Sequence, residues 1–215
     1  MTSSHEKRSL STRLALECAA RQLFAEHGFT AVSADQIVAV AGVTRGALQY
    51  QYGDKRGLFI VVLEQLEREN SEEISAATAA ANTDDPIVLI EIALKTFLDI
   101  CLRPEMVRIA LSDGPAVLGR QTWREFEIRH GLGLVIPPLE AARAAGRLAD
   151  VDIPVLAQLL LSAITEAGMV VASAPDPVTA GEHALRALMA IVSGVVRGDR
   201  VSTPADTLGA AQPIR

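Results

Sequence analysis

Aromatic residues are scarce, with Phe, Tyr and Trp making up 4% of 215 residues and Trp occurring once. Cysteine is scarcer: Cys18 and Cys101 lie far apart in apolar helical patterns. That excludes a disulfide framework, and the four scattered histidines supply no zinc spacing beside them. The expectation is two buried thiols in a reducing compartment, with no metal or other cofactor. The amino-terminal stretch MTSSHEKRS has no apolar core of the signal-peptide kind. No apolar run approaches the ~20 residues of a membrane span, so a cytoplasmic protein without a membrane partner is expected. Alternating stretches of strand type are nearly absent. Positive charge is also in deficit, since 20 Lys+Arg against 26 Asp+Glu leave a formal net charge of −6. Taken alone, that balance argues against nucleic acid. What the chain does have is apolar content: 49% hydrophobic residues, rich in Ala and Leu. This fills a core, excludes a disordered chain and favours helices packed closely on helices over a β-sandwich.

Helical spacing appears almost everywhere. Leu16, Ala19, Ala20, Leu23 and Phe24 form one stripe, with Ser11 or Thr12 as the expected cap and Gly28 as the stop. Ser33 caps a short helix that Gly42 closes, and Thr44 caps another running to about Tyr52. Asp54 caps a longer helix, with Glu67–Asp85 as its exposed end and a loop. Helices then follow over 87–101, from Pro104 to a stop at Gly114-Pro115, and over 116–145. The last of these should bend or break at Pro137-Pro138. Two more run from Ile153-Pro154 to about Ala172 and from Asp176-Pro177 to about Val196. The tail, 199–215, has no periodicity and reads as disordered.

The stretch from Val32 to Leu58, VSADQIVAVAGVTRGALQYQYGDKRGL, carries the functional signal. Two short amphipathic helices meet at Ala41-Gly42-Val43, where glycine permits a sharp reversal, in the pattern of a helix-turn-helix. In that arrangement the second helix enters the DNA major groove. Ala47 and Leu48 face inward, leaving Thr44, Arg45, Gln49 and Tyr50 outward or at the helix start. Arg45 suits a phosphate or a guanine edge, and Gln49 suits adenine. Gly46 lets a backbone approach closely, and Ser33 caps its helix with a phosphate within its reach. Residues 1–60 hold seven Lys+Arg against five Asp+Glu, and the rest of the chain 13 against 21. The acidic excess therefore lies outside the reading segment. Arg8, Arg13 and Arg56 read as solvated charges.

With LECAARQLFAEHGF (16–29) and IVAVAGVTRGALQYQYGDKRGL (37–58), the chain resembles the TetR family of bacterial transcriptional repressors from Leu16 to about Leu66. One departure is Gln49, where the family most often carries an aromatic residue. Tyr52 replaces the family's phenylalanine. The resemblance implies that Lys55 contacts a phosphate. It also implies an all-α fold: a three-helix DNA-binding domain over 1–55 and a larger helical ligand-binding and dimerisation domain over 56–198. The segment DGPAVLGRQTWREFEIRHGLGL is similar to one found in a subset of these regulators.

On this reading the protein is a homodimeric, ligand-responsive repressor of a palindromic double-stranded DNA operator, released by a small, largely apolar effector. Trp123, Phe126 and His130 share a helical face, and with Phe97, Cys101 and Met106 they are the candidate pocket. The expected dimer interface uses the last two helices through Leu156, Leu159, Leu160, Ala163, Ala167, Leu185, Leu188 and Val192. The alternatives are an effector-independent DNA-binding protein or, less favoured, an enzyme, because no histidine has a second ligand or nucleophile at a useful spacing.

Overall fold

The computed structural model describes residues 4–196, with side chains from residue 6 onward. The expected disordered tail lies outside the described residues. Side chains next to the helix ends set most boundaries. α1 (Ser4–His27) starts earlier than the expected cap at Ser11 or Thr12. No Gly or Pro interrupts its first turns, and they find a partner: Gln51 Nε2 donates to Ser9 Oγ at 3.0 Å. α2 (Ala34–Ala41) opens with a capping box in which Ser33 Oγ accepts from the Gln36 N–H at 3.2 Å and the Ser33 N–H donates to Gln36 Oε1 at 2.7 Å. Gly42 closes it in the left-handed conformation, φ +66°. Thr44 Oγ1 caps α3 (Arg45–Tyr52) by accepting from Ala47 N–H, and Asp54 Oδ1 caps α4 (Lys55–Ala79) by accepting from Gly57 N–H. α5 (Pro86–Ile100), α8 (Ile153–Ser173) and α9 (Pro177–Val195) share one design: an aspartate cap at 85, 152 or 176 and a proline in the first turn.

Two expectations fail in the middle of the chain. Gly114-Pro115 does not stop a helix: a π-helical segment, Met106–Asp113, runs directly into α6 (Gly114–Leu118). Pro115 lies in the first turn of α6, where its fixed φ suits the helix. Of the bend or break expected at Pro137-Pro138, the break does not occur: α7 (Arg120–Ala144) runs through both prolines.

Two apolar cores fill the molecule. The first joins Leu16, Phe24, Ile37 and Leu48 to Leu58, Phe59, Val62 and Leu63 of α4 and to Met106 and Ile109 of the π segment. It therefore crosses residue 55, the expected domain boundary. Phe24, Phe29 and Phe59 meet there with ring centroids 5.1–5.7 Å apart. The second core joins α5, α7, α8 and α9 through Ile90, Leu94, Leu139, Ile153, Leu160 and Leu188. Among the described residues, strand-like pairing is confined to one antiparallel bridge, Leu148 with Val196.

Two composition-based expectations also change. Cys101 is buried, but Cys18 is exposed on the outer face of α1. The 21-residue α8, with mean hydropathy 1.8, is long and apolar enough to cross a membrane, contrary to the expectation that no run approaches that length. In this fold its Ile153, Ala157, Leu160, Leu161, Gly168 and Val171 are buried against neighbouring helices.

Candidate nucleic-acid interface and internal cavity

α3 presents one face to solvent and one to the core. Leu48 is buried, anchoring the helix, whereas Thr44, Arg45, Gly46, Gln49 and Tyr50 are all exposed. Tyr50 is 83% exposed, a large aromatic side chain that folding leaves uncovered. Ser33 at the start of α2 is exposed as well. Arg45 Nη1 lies 2.7 Å from Asp35 Oδ1, a solvent-facing pair that ties α3 to α2 weakly enough for a competing anion to displace it.

Lys55 plays a role the sequence does not disclose. Its ammonium donates to the Phe29 and Val32 carbonyls at 2.8 and 2.6 Å and sits 3.9 Å above the Phe29 ring. Burial holds this amine below its ordinary range. Lys55 thus clamps the α1–α2 turn, and one of its three protons remains for a further acceptor. Tyr52 packs under α3, and its hydroxyl donates to Glu17 Oε1 at 2.7 Å. Burial, reinforced by that carboxylate, raises the phenol above its ordinary range.

The second feature is a cavity of about 140 Å³ between α4, α5, the π segment, α7, α8 and α9. Five of the six expected pocket residues, Phe97, Met106, Trp123, Phe126 and His130, line it. Trp123 and Phe126 are stacked, with centroids 5.6 Å apart and planes inclined by 15°. The Phe126 and His130 rings lie 4.4 Å apart. Cys101 is a correction: it does not line this cavity, because its sulfur turns to the close approach of α8 at Gly168. Burial pushes its thiol up to about 12.

The expected interface residues divide. Leu160, Leu188 and Val192 are at most 5% exposed and line the cavity, so a second copy of the chain cannot reach them. Ala163, Ala167, Leu156 and Leu185 are half-buried, and Leu159 is 65% exposed. The exposed apolar residues on these helices are Val155, Leu159, Met169, Val170, Val178 and Ile191.

The sequence reading missed Glu67 and Glu127, which also line the cavity. The signal for Glu67 was present. It lies on the α4 stripe with Leu63, Leu66, Asn70 and Ile74, where a carboxylate is out of place. Also missed was the seam joining the π segment to the reading domain. Asp113 Oδ2 accepts from the Phe29 N–H at 2.6 Å. Arg21 donates to both oxygens of Glu105 at 3.0 Å and pairs with Glu69 at 2.7 Å.

Two family models match the chain. "Bacterial regulatory proteins, tetR family" covers residues 18–62, and "Tetracyclin repressor-like, C-terminal domain" covers residues 90–195. A crystal structure of a TetR-family transcriptional regulator from Pectobacterium atrosepticum is 30% identical, with a TM-score of 0.76, covering 88% of this chain and 96% of that one. The HTH-type transcriptional repressor BepR of Brucella suis biovar 1 (strain 1330) is 29% identical over 101 residues, 47% of this chain. The match spans about half, 48%, of that curated relative's length. The SmeT–triclosan complex shares the fold at 20% identity, TM-score 0.63, covering 94% of this chain and 99% of that one.

Proposed function

The chain belongs to the TetR family of bacterial transcriptional regulators, and from that premise we propose that it is a homodimeric repressor released from its operator by a small, largely apolar effector. The family is one of DNA-binding regulators rather than enzymes. The observation that carries the reading is the exposed face of α3, with Tyr50 uncovered beside Thr44, Arg45 and Gln49 while Leu48 anchors the helix. Such a helix fits a major groove, Arg45 and Gln49 meet base edges, and Thr44, Ser33 and Lys55 meet phosphates. Two copies reading half-sites about one DNA turn, ~34 Å, apart match a two-fold operator. Their contact is the exposed apolar face of α8 and α9 around Leu159, Val170 and Ile191, flanked by Ala163, Ala167 and Leu185.

Two elements connect the cavity to the reading head. α4 lines the cavity with Glu67 and Ile74 and starts at Lys55, which holds the α1–α2 turn. The π segment lines it with Met106, Ala110 and Leu111, and its Asp113 holds Phe29. A ligand that fits one arrangement of these elements better than the other shifts the spacing of the two α3 helices. Two relatives support the two halves of the reading: BepR is a repressor, and SmeT, alike in fold, holds triclosan.

The test is binding of the purified protein to a fragment carrying its own promoter and to sequences selected from a random pool. A specific, salt-sensitive complex is expected. Tyr50→Ala should weaken it about tenfold or more, with the circular dichroism spectrum unchanged. Failure to select any sequence would sink the proposal. Lys55→Ala is the poorer probe, because it also removes the clamp on the α1–α2 turn.

A further inference from the structure

We propose that the cavity is shaped for a small lipophilic monocation, a single-ring arylalkylamine or an alkylamine of like size, whose ammonium group is held by the Glu67 and Glu127 carboxylates. This rests on the reading of the cavity as the effector site. The charged residues lining the cavity are these two glutamates, and no Lys or Arg joins them. Glu67 is half-buried and forms no side-chain hydrogen bond or ion pair among the described residues. Glu127 has a loose partner, Arg124 Nη1 at 3.5 Å. Enclosing an unpaired carboxylate in apolar surroundings is costly unless something compensates it. Burial, with Glu127 adding to it, pushes Glu67 up to about 7. A cation between the two carboxylates removes both penalties at once.

The other walls agree. The stacked faces of Trp123 and Phe126 favour an aromatic or alkyl body and attract positive charge. His130 Nε2 is buried without a hydrogen-bond partner, and burial holds the imidazole toward its neutral form. A neutral ring nitrogen can accept a hydrogen bond from an N–H donor. At about 140 Å³ the cavity matches one known to hold benzene, which limits the body to one ring with a short chain. An organic acid would bring further negative charge to a site whose charged residues are both glutamates and is disfavoured by repulsion.

The experiment compares three ligands of one shape: 3-phenylpropylamine, 3-phenyl-1-propanol and 3-phenylpropionate. Binding to the full-length protein is read by calorimetry and by the fluorescence of Trp123, its one tryptophan. The amine should bind about tenfold or more tighter than the alcohol, and the acid not measurably. Glu67→Gln and Glu127→Gln, near-isosteric, should each reduce that preference, and the double variant should abolish it. Equal or tighter binding of the alcohol, no binding of any of the three, or an amine preference that survives the double variant would each overturn the proposal. If the amine binds but no DNA sequence is selected, the regulatory reading fails and this one stands. If DNA binds while the amine does not, the reverse holds.

Discussion

At Gly46 an added methyl group would meet only Thr44 Oγ1, at 3.8 Å. Nothing in the fold requires glycine there, in contrast to Gly57, where a Cβ would collide with the Tyr52 carbonyl oxygen. Gly46→Ala should therefore stabilise the protein by about 0.5–1 kcal/mol, because alanine loses less backbone entropy in a helix. It should weaken DNA binding if a phosphate backbone comes that close, and thermal melts beside DNA titrations separate the two effects. Glu67 gives a prediction of the opposite kind. Its carboxyl is raised from the usual 4.5 to about 7, so below pH 4.5 it is protonated in both folded and unfolded chains and contributes nothing. As pH rises to 7 the unfolded chain ionises first, and stability falls by up to about 3 kcal/mol. Glu67→Gln should thus be more stable than the parent at pH 8 and equal to it at pH 4.5, measured by urea unfolding. Glu127 of α7 adds to the shift, and Glu67 in turn helps to raise the Cys101 thiol, which at about 12 stays protonated over this range. The difference therefore reports Glu67 together with its coupling to Glu127.

Among the elements, the boundaries legible in the sequence were those written in a neighbouring side chain. Ser33, Thr44 and Asp54 each cap the helix they were expected to cap, and the last helix opens at Asp176-Pro177 as expected. The misreadings arose where a distant contact decides. α1 meets Gln51 of α3 in its early turns, and α7 runs through Pro137-Pro138 packed against α5 and α8. The cavity was half legible. The face formed by Trp123, Phe126 and His130 was readable from its spacing, but Glu67 needs α7 beside it before a carboxylate on a stripe becomes a carboxylate in a cavity. At Gly114 a Cβ would lie 2.5 Å from the Trp123 ring. Gly114→Ala should push that ring into the cavity, shift the tryptophan emission and cost about 1–3 kcal/mol as overpacking. A small ligand that binds the parent should be lost.

For the whole molecule, the uneven charge and the uncovered apolar faces matter most. The acidic excess lies after residue 60, so the reading head carries its own small positive balance. The sequence reading placed the dimer contact on α8 and α9, and three of the residues it named belong to the core. Leu160, Leu188 and Val192 point inward, while Leu159, Val170 and Ile191 point outward. A helix has two apolar sides when it serves both a core and a partner, and spacing alone does not say which is which. Leu159→Glu with Val170→Glu should leave a folded monomer by sedimentation velocity, with DNA affinity reduced at least tenfold because two half-sites are no longer read together. Persistence of a dimer would move the contact elsewhere.

The π-helical stretch Met106–Asp113 can be regarded as a helix carrying one residue more than its span needs. Removing one residue, Ser112 for example, lets the stretch relax to α-helical winding with its ends nearly in place. Asp113 would then keep its hold on the Phe29 N–H, while Met106, Ala110 and Leu111 would change what they present to the cavity. On the proposed reading, a chain so shortened should still grip its operator but lose its ligand. The surplus residue is then what gives this wall of the cavity its shape.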